Sequence, residues 1–342
     1  MTSASRIVFC ALAVLHAPVS LMAQGNLSGP VAGFVLDSAA GSLRPILGTP
    51  GSTTLGQPVE SPFRFRLAVF PRGQKYALAA AEGQPFLMRI NLDRPSDAPL
   101  MINGADAQVD ALSLSAGGDV AALYRKSDRS LQILSGLNTS PQAGARLDAA
   151  MIPGDVKSLA ISEDGRLVLI GIVHESGGSV WGMGTEGEPP RMLMRVSEPS
   201  ALAFVPGTYD ALIADAGGNA VHLLRNAAGN GLPVVLADAS SGVAEPAAVL
   251  ASADGSRAFI ANTGTRSVLI AHLSGTSSTI HSCDCAPSAL QPLRSPSAFL
   301  LTSLSSGKLW LLDAYESEPR IFFVPPDQGS RILDSSDHRN RR

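Results

Sequence analysis

The chain has 342 residues, of which 45% are hydrophobic, 16% charged and 5% aromatic, and its formal net charge is −3. So large a hydrophobic fraction excludes a disordered chain, and a near-neutral balance without a basic stripe argues against nucleic acid as a partner. The 33 glycines and 24 prolines, set against few charges, point to many turns and many short strands.

In chain order the first element is an address. Residues 1–23 read as a secretory signal peptide: Arg6 carries the positive charge, Ile7–Ala17 form the apolar run, Pro18 breaks it, and Leu21-Met22-Ala23 offers a cleavage site. The run is short for a bilayer-spanning helix, which needs about 20 apolar residues. An uncleaved anchor is the alternative reading. Cys10 sits too near the start to follow an apolar run, which excludes a lipoprotein signal. No later segment is long and apolar enough to cross a membrane. The expected product is secreted or periplasmic, with no membrane span after cleavage. Cys10 leaves with the signal, so only Cys283 and Cys285 remain. Two cysteines cannot build a scaffold of this size, and the apolar core must hold the fold.

From residue 64 onward one cadence repeats: a short apolar strand, a turn, then a second strand. It runs through Leu67-Ala-Val-Phe-Pro-Arg-Gly73, Ala111-Leu-Ser-Leu-Ser-Ala-Gly-Gly118, Leu159-Ala-Ile-Ser-Glu-Asp-Gly165, Ala201-Leu-Ala-Phe-Val-Pro-Gly207, Val249-Leu-Ala-Ser-Ala-Asp-Gly255 and the region around Ser295-Pro296. Third strands follow at Phe86–Leu92, Leu131–Leu134, Ser179–Met183, Ala220–Leu224, Ser267–Ala271 and Lys308–Leu312, and a fourth, weaker one at Arg320–Val324. The spacing is about 44 residues, the period of a β-propeller blade. Such a sheet cannot bury both faces alone and must stack on its neighbours. Asp164-Gly165 and Asp254-Gly255 suit a two-residue hairpin turn. No stretch has sustained helical periodicity.

The N-terminal stretch holds half a unit. Gly33–Asp37 and Leu43–Leu47 look like the last two strands of a blade, to be completed from residues 51–62 or from Arg331–Asp334. The expected fold is therefore all-β: a β-propeller of seven blades with four antiparallel strands each, a six-bladed ring being the alternative. It occupies residues 24–334 as a single domain, followed by a flexible tail at 335–342.

Phe259-Ile-Ala-Asn262-Thr-Gly-Thr-Arg-Ser-Val-Leu-Ile270 resembles the YVTN repeat, and Leu212-Ile-Ala-Asp-Ala-Gly-Gly-Asn-Ala-Val-His-Leu223 is a looser copy. Ser252-Ala-Asp-Gly255 and Ser162-Glu-Asp-Gly165 are similar to that family's Ser-Pro-Asp-Gly turn, with Ala or Glu in place of Pro. The resemblance extends over most of residues 64–313 at repeat level. It implies a propeller of the YVTN and lactonase-like superfamily, often secreted in bacteria. Its motifs specify architecture and no chemistry. Gly207-Thr208 and Pro292–Pro296 depart from the pattern, so those two turns are expected to be irregular.

Few constellations carry chemistry. His281-Ser-Cys283-Asp-Cys285 could be a metal clip, since an imidazole and two thiolates suit Cu(I) or Zn. Export favours a local Cys283–Cys285 disulfide instead. Ser305-Ser-Gly-Lys308 has the Ser-x-x-Lys spacing of some acyl-transfer enzymes, but it falls between strands, where that geometry fails. His174, His222, His272, His281 and His338 are scattered, and strand histidines are commonly just hydrogen-bonded. Asn26-Leu-Ser28 and Asn138-Thr-Ser140 are triplets of the glycosylation type. No catalytic set and no cofactor site can be read. The preferred reading is a secreted, monomeric, non-catalytic propeller that binds a protein or glycan partner at one face of the disc. A lactonase-like or other hydrolytic enzyme is the first alternative. A metal or redox role for Cys283 and Cys285 is the second.

Overall fold

The computed structural model describes residues 29–275, 277–315 and 318–326. The signal at 1–23, the triplet at Asn26, the segment Arg331–Asp334, the tail at 335–342 and His338 lie outside the described residues.

The strands form seven antiparallel sheets in chain order. Sheet 1 holds β1 (Val31–Asp37), β2 (Ser42–Thr49) and β3 (Ser52–Leu55). Sheet 2 holds β4 (Phe65–Val69), β5 (Tyr76–Ala81), β6 (Leu87–Asn91) and β7 (Leu100–Ile102). Sheet 3 holds β8 (Ala111–Leu114), β9 (Ala121–Arg125), β10 (Ser130–Ser135) and β11 (Gln142–Asp148). Sheet 4 holds β12 (Asp155–Ile161), β13 (Leu167–His174), β14 (Gly177–Gly184) and β15 (Arg191–Val196). Sheet 5 holds β16 (Pro199–Phe204), β17 (Ala211–Asp215), β18 (Ala220–Leu224) and β19 (Pro233–Ala237). Sheet 6 holds β20 (Pro246–Ala251), β21 (Arg257–Asn262), β22 (Ser267–His272) and β23 (Ser278–Ser282). Sheet 7 holds β24 (Gln291–Pro292), β25 (Ala298–Leu300), β26 (Leu309–Asp313) and β27 (Arg320–Val324).

Burial explains why the repeat reads as it does. Second strands are covered on both faces by neighbouring sheets, so β5 and β17 are buried at every position. They therefore appear in the sequence as unbroken runs of Ala, Leu and Ile. Fourth strands lie at the rim and are mostly exposed, as in β11 and β23. Each apolar cluster is shared by two consecutive sheets. One joins Phe259 and Ile270 of sheet 6 to Phe299 and Leu312 of sheet 7. Another joins Val35, Ile46 and Leu55 of sheet 1 to Leu300 and Leu311 of sheet 7, which closes the ring. The chain is a seven-bladed β-propeller.

The turns between first and second strands differ from the two-residue hairpin expected of Asp-Gly. In sheet 4, Ser162 N donates to Leu167 O at 2.9 Å, which closes a loop of four residues, and Gly165 N donates to Ser162 O at 3.1 Å. Only Gly165, at φ 74°, takes the left-handed conformation, whereas a two-residue type I′ turn needs it at both central positions. The Asp164 carboxylate instead accepts from Ser162 Oγ at 2.7 Å and from Arg166 N at 3.1 Å, as Asp does in turns. The two turns expected to be irregular keep the same length. Val205 N donates to Asp210 O at 2.8 Å with Gly207 one position earlier, and Leu293 N donates to Ala298 O at 2.9 Å with no glycine in the loop.

Sheet 1 differs from the others. Gly33–Asp37 and Leu43–Leu47 fall in its first two strands, not its last two, and β3 completes it from residues 51–62. The sheet has three described strands, with β3 packed beside the rim strand β27 and β1 facing inward beside β4. The inner edge of β1 is sealed by side chains. Gln74, fully buried, accepts from Phe34 N through Oε1 at 2.6 Å. Its Nε2 donates to Phe34 O at 3.2 Å and to Pro292 O at 2.7 Å. Gln291 Nε2 adds a bond to Phe34 O at 2.8 Å, and Arg294 N donates to Ala32 O at 3.0 Å. One primary amide thus ties sheets 1, 2 and 7 together and satisfies an edge that would otherwise be open.

Replacing that amide tests its role. Gln74→Leu leaves the Phe34 N–H and the Pro292 carbonyl without their partner, at about 1–3 kcal/mol for each buried group. A loss of roughly 2–4 kcal/mol by urea denaturation is expected. An unchanged midpoint would mean that sheet 1 is held otherwise.

Candidate functional site

Alternating strand direction gives the disc two different faces. One face carries the turns between second and third strands together with the links from each sheet to the next. The other carries the first-to-second and third-to-fourth turns. The larger clefts open on the first face. A cleft of about 800 Å3 lies between sheets 6 and 7, walled by Glu245, Arg266, Asp284, Thr302, Lys308 and Trp310. A second, of about 550 Å3, lies between sheets 2 and 3 and includes Arg66, Glu82 and Asp110. On the opposite face, clefts of about 320 and 270 Å3 lie between sheets 4 and 5.

The walls of the larger cleft are braced from within. Thr302 Oγ1 donates to Lys308 O at 2.8 Å and accepts from Trp310 N at 3.0 Å, which fixes the connection that presents both side chains. The Trp310 ring lies 5.6 Å from that of Phe323. Arg266 takes φ 51°. Its carbonyl accepts from Cys283 N at 2.8 Å, and its Nε donates to Cys285 O at 3.2 Å. Thr263 Oγ1 donates to Pro287 O at 3.0 Å across the cleft floor. Two cations, two carboxylates, two hydroxyls and an indole therefore surround one space between two blades.

The first face also carries an ion-pair network on sheet 3. Arg125 bonds Asp106 at 2.7 Å and also pairs with Asp128, while Arg146 reaches Asp106 at 2.9 Å. The Arg125 bond holds the Asp128 carboxyl well below the usual range. Arg125 and Asp106 at its centre are mostly buried, while Asp128 and Arg146 at its ends are partly solvated. Backbone links are anchored differently. At the end of β17, Asp215 accepts from Ser197 N at 2.9 Å, Glu198 N at 2.8 Å and Gly218 N at 3.0 Å. Asn262, at the same place in sheet 6, accepts from Ala244 N at 3.4 Å. The Asn of the YVTN-like motif thus serves architecture.

The candidates read from the sequence do not assemble. Cys283 and Cys285 are buried and bonded to each other, with Cα atoms 5.0 Å apart, at the edge of the larger cleft. His281 lies on the rim strand β23, with Nε2 3.1 Å from Thr279 Oγ1. Among the described residues no group of three or more His, Cys, Asp and Glu side chains could hold a metal ion. His222 and His272 stand on the third strands of neighbouring sheets, away from the channel. His174 Nδ1 is 2.8 Å from Ser176 Oγ. Ser305 pairs with Ser303 Oγ at 2.7 Å, while Lys308 faces the cleft. Trp310 and Arg266 were missed as site residues. The signal that could have found them is positional: residues after the motif Asn lie on the linking face, and residues from adjacent repeats meet there.

The fold has well-covered counterparts among solved structures. A functionally unknown protein from Desulfotomaculum acetoxidans superposes with a TM-score of 0.57 at 13% identity, covering 87% of this chain and 100% of that one. A putative 6-phosphogluconolactonase from Bacteroides uniformis gives 0.56 at 14% identity, covering 86% and 96%. A chain of the mitotic checkpoint complex gives 0.56 at 12% identity, covering 80% and 85%. At such identities the likeness carries the fold alone. No protein-family model and no curated protein matches the sequence.

Two outcomes test the site's chemistry. Alkylation of the denatured, unreduced protein should find no free thiol at Cys283 or Cys285; two free thiols with stoichiometric zinc or copper would make them metal ligands with His281. Burial holds the His222 imidazole below its ordinary value of 6.5. The neutral form is favoured in the fold, so its contribution to stability is complete above that value and is lost as pH falls through it. His222→Gln should therefore flatten the decline of the urea midpoint between about pH 7.5 and pH 5. Parallel curves for the two proteins would contradict this.

Proposed function

We propose that this chain is an exported, non-catalytic propeller of the YVTN repeat class that binds its partner on the linking face, in the cleft between sheets 6 and 7. The observation that carries the reading is the composition of that cleft: an indole wall, two cations, two carboxylates and two hydroxyls around about 800 Å3. Binding sites typically combine an apolar or aromatic wall with a few placed polar groups. A saccharide fits best. The indole offers a flat apolar surface to a sugar ring, and the mixed charges offer donors and acceptors to its hydroxyls. Export rests on Arg6, the short apolar run and Ala23.

An oligosaccharide array probed with the processed protein, followed by titration calorimetry on the hits, tests the reading. Trp310→Ala should weaken binding by at least about tenfold, as truncated aromatic anchors do. The pair Arg266→Ala and Lys308→Ala should alter which charged sugars bind. Binding unchanged by Trp310→Ala would place the site elsewhere. Turnover of 6-phosphogluconolactone above the buffer rate would replace the reading with an enzymatic one. Intact-mass analysis of the exported protein should begin at or near Gln24, and a full-length cytoplasmic product would overturn the localisation.

A further inference from the structure

Charge on the linking face follows the repeat. In sheets 3, 6 and 7 the link that enters the sheet brings a carboxylate, and the second-to-third turn brings a cation. Around sheet 3 these charges answer one another. Asp106 of the link pairs with Arg125 at 2.7 Å, and Lys126 of the turn pairs with Asp155, at the start of sheet 4, at 3.0 Å. In sheets 6 and 7 the corresponding groups are Glu245 and Arg266, then Asp284 and Lys308, and all four wall the same cleft. Along the chain their signs alternate.

Here the charges do not pair. No ion pair among the described residues includes Glu245, Arg266, Asp284 or Lys308, although all four are exposed at one space. The segments that carry them are held in place. Glu245 N donates to Asn219 Oδ1 at 2.8 Å, and Arg266 Nε is engaged by Cys285 O at 3.2 Å. Asp284 sits inside the ring closed by the Cys283–Cys285 disulfide, and the Lys308 carbonyl accepts from Thr302 Oγ1 at 2.8 Å. Two carboxylates and two cations are therefore presented to a ligand rather than to one another. A ligand of a single charge would answer one of these pairs and meet its like in the other, which is how charge discriminates between partners.

We infer that the cleft selects a zwitterionic saccharide, one that carries both an ammonium and a carboxylate beside the ring that stacks on Trp310. The inference rests on the saccharide reading of this cleft and narrows it. Arg266 and Lys308 take the carboxylate, the guanidinium through its planar Nη donors, and Glu245 and Asp284 accept from the ammonium. A space of about 800 Å3 falls within the range of sites that take ligands larger than a single sugar ring.

Titration calorimetry of the full processed chain with tetrasaccharides of one backbone tests this at fixed ionic strength. The parent repeats glucuronate and N-unsubstituted glucosamine. N-acetylation removes its ammonium, and reduction of its carboxyl groups removes its negative charge. The parent should bind saturably and at least about tenfold tighter than either derivative, as one hydrogen bond to a charged group accounts for. Asp284→Asn should erase the preference over the N-acetylated form, and Lys308→Met the preference over the carboxyl-reduced form. Both side chains are exposed, so both variants should fold. A derivative that binds as tightly as the parent, and is still weakened by Trp310→Ala, would overturn the zwitterion and leave the saccharide reading standing. No saturable binding of the parent, or preferences unmoved by both Asp284→Asn and Lys308→Met, would overturn it as well. An oligosaccharide array without a single hit would remove the saccharide reading and this inference together.

Discussion

Everything in this fold depends on closing the ring where sheets 7, 1 and 2 meet. Each sheet is apolar on both faces, so no sheet is stable without two neighbours. As the inner strand of sheet 1, β1 faces the channel and brings a backbone edge with it. The Gln74 amide, with one acceptor and two donors, matches Phe34 N, Phe34 O and Pro292 O at once. A hydrophobic side chain of similar size would close the space but leave the edge unsatisfied. The constraint reaches outward from there. Once sheets 7, 1 and 2 are joined, the apolar clusters can be continuous, and the second strands can be buried along their whole length.

The stitching continues around the ring by the same means. Ser158 Oγ donates to Pro199 O at 2.7 Å, and Ser200 Oγ bonds Pro246 O, so the inner strands of sheets 4, 5 and 6 are tied side by side. Each of these strands changes register at its linking-face end, at Val156/Ser158, Pro199/Ala201 and Pro246/Ala248. The bulge turns a side chain that would otherwise follow the pleat. Small hydroxyls and amides do in the channel what apolar packing does between the sheets.

The period, the second-strand runs and the third-strand positions were legible because burial imposes them locally. Ala220–Leu224 and Arg320–Val324 were readable to the residue, since a strand between two covered faces or at a rim has a distinct pattern. The turns were legible in place and not in type. Asp-Gly is common to several loop geometries, and the Asp164 side chain selects the longer one by bonding backbone two residues on. Gln74 and Arg72 were illegible because their meaning lies across the ring. Gln74 is bonded to Pro292, and Arg72 to Ala251, partners that no local pattern links to them. The cleft between sheets 6 and 7 was hidden for the same reason: Arg266 and Trp310 come from different repeats. Sites of this kind are interfaces between repeats, and their integrity follows from closure of the ring.

Hydrogen–deuterium exchange, read on peptides covering residues 31–37, tests closure most directly. If the amide seal holds β1 in the ring, those residues exchange as slowly as 257–262 in β21, and both lose protection together as denaturant rises. Exchange of 31–37 within seconds, while 257–262 stays protected, would show an open edge at sheet 1 and contradict the account.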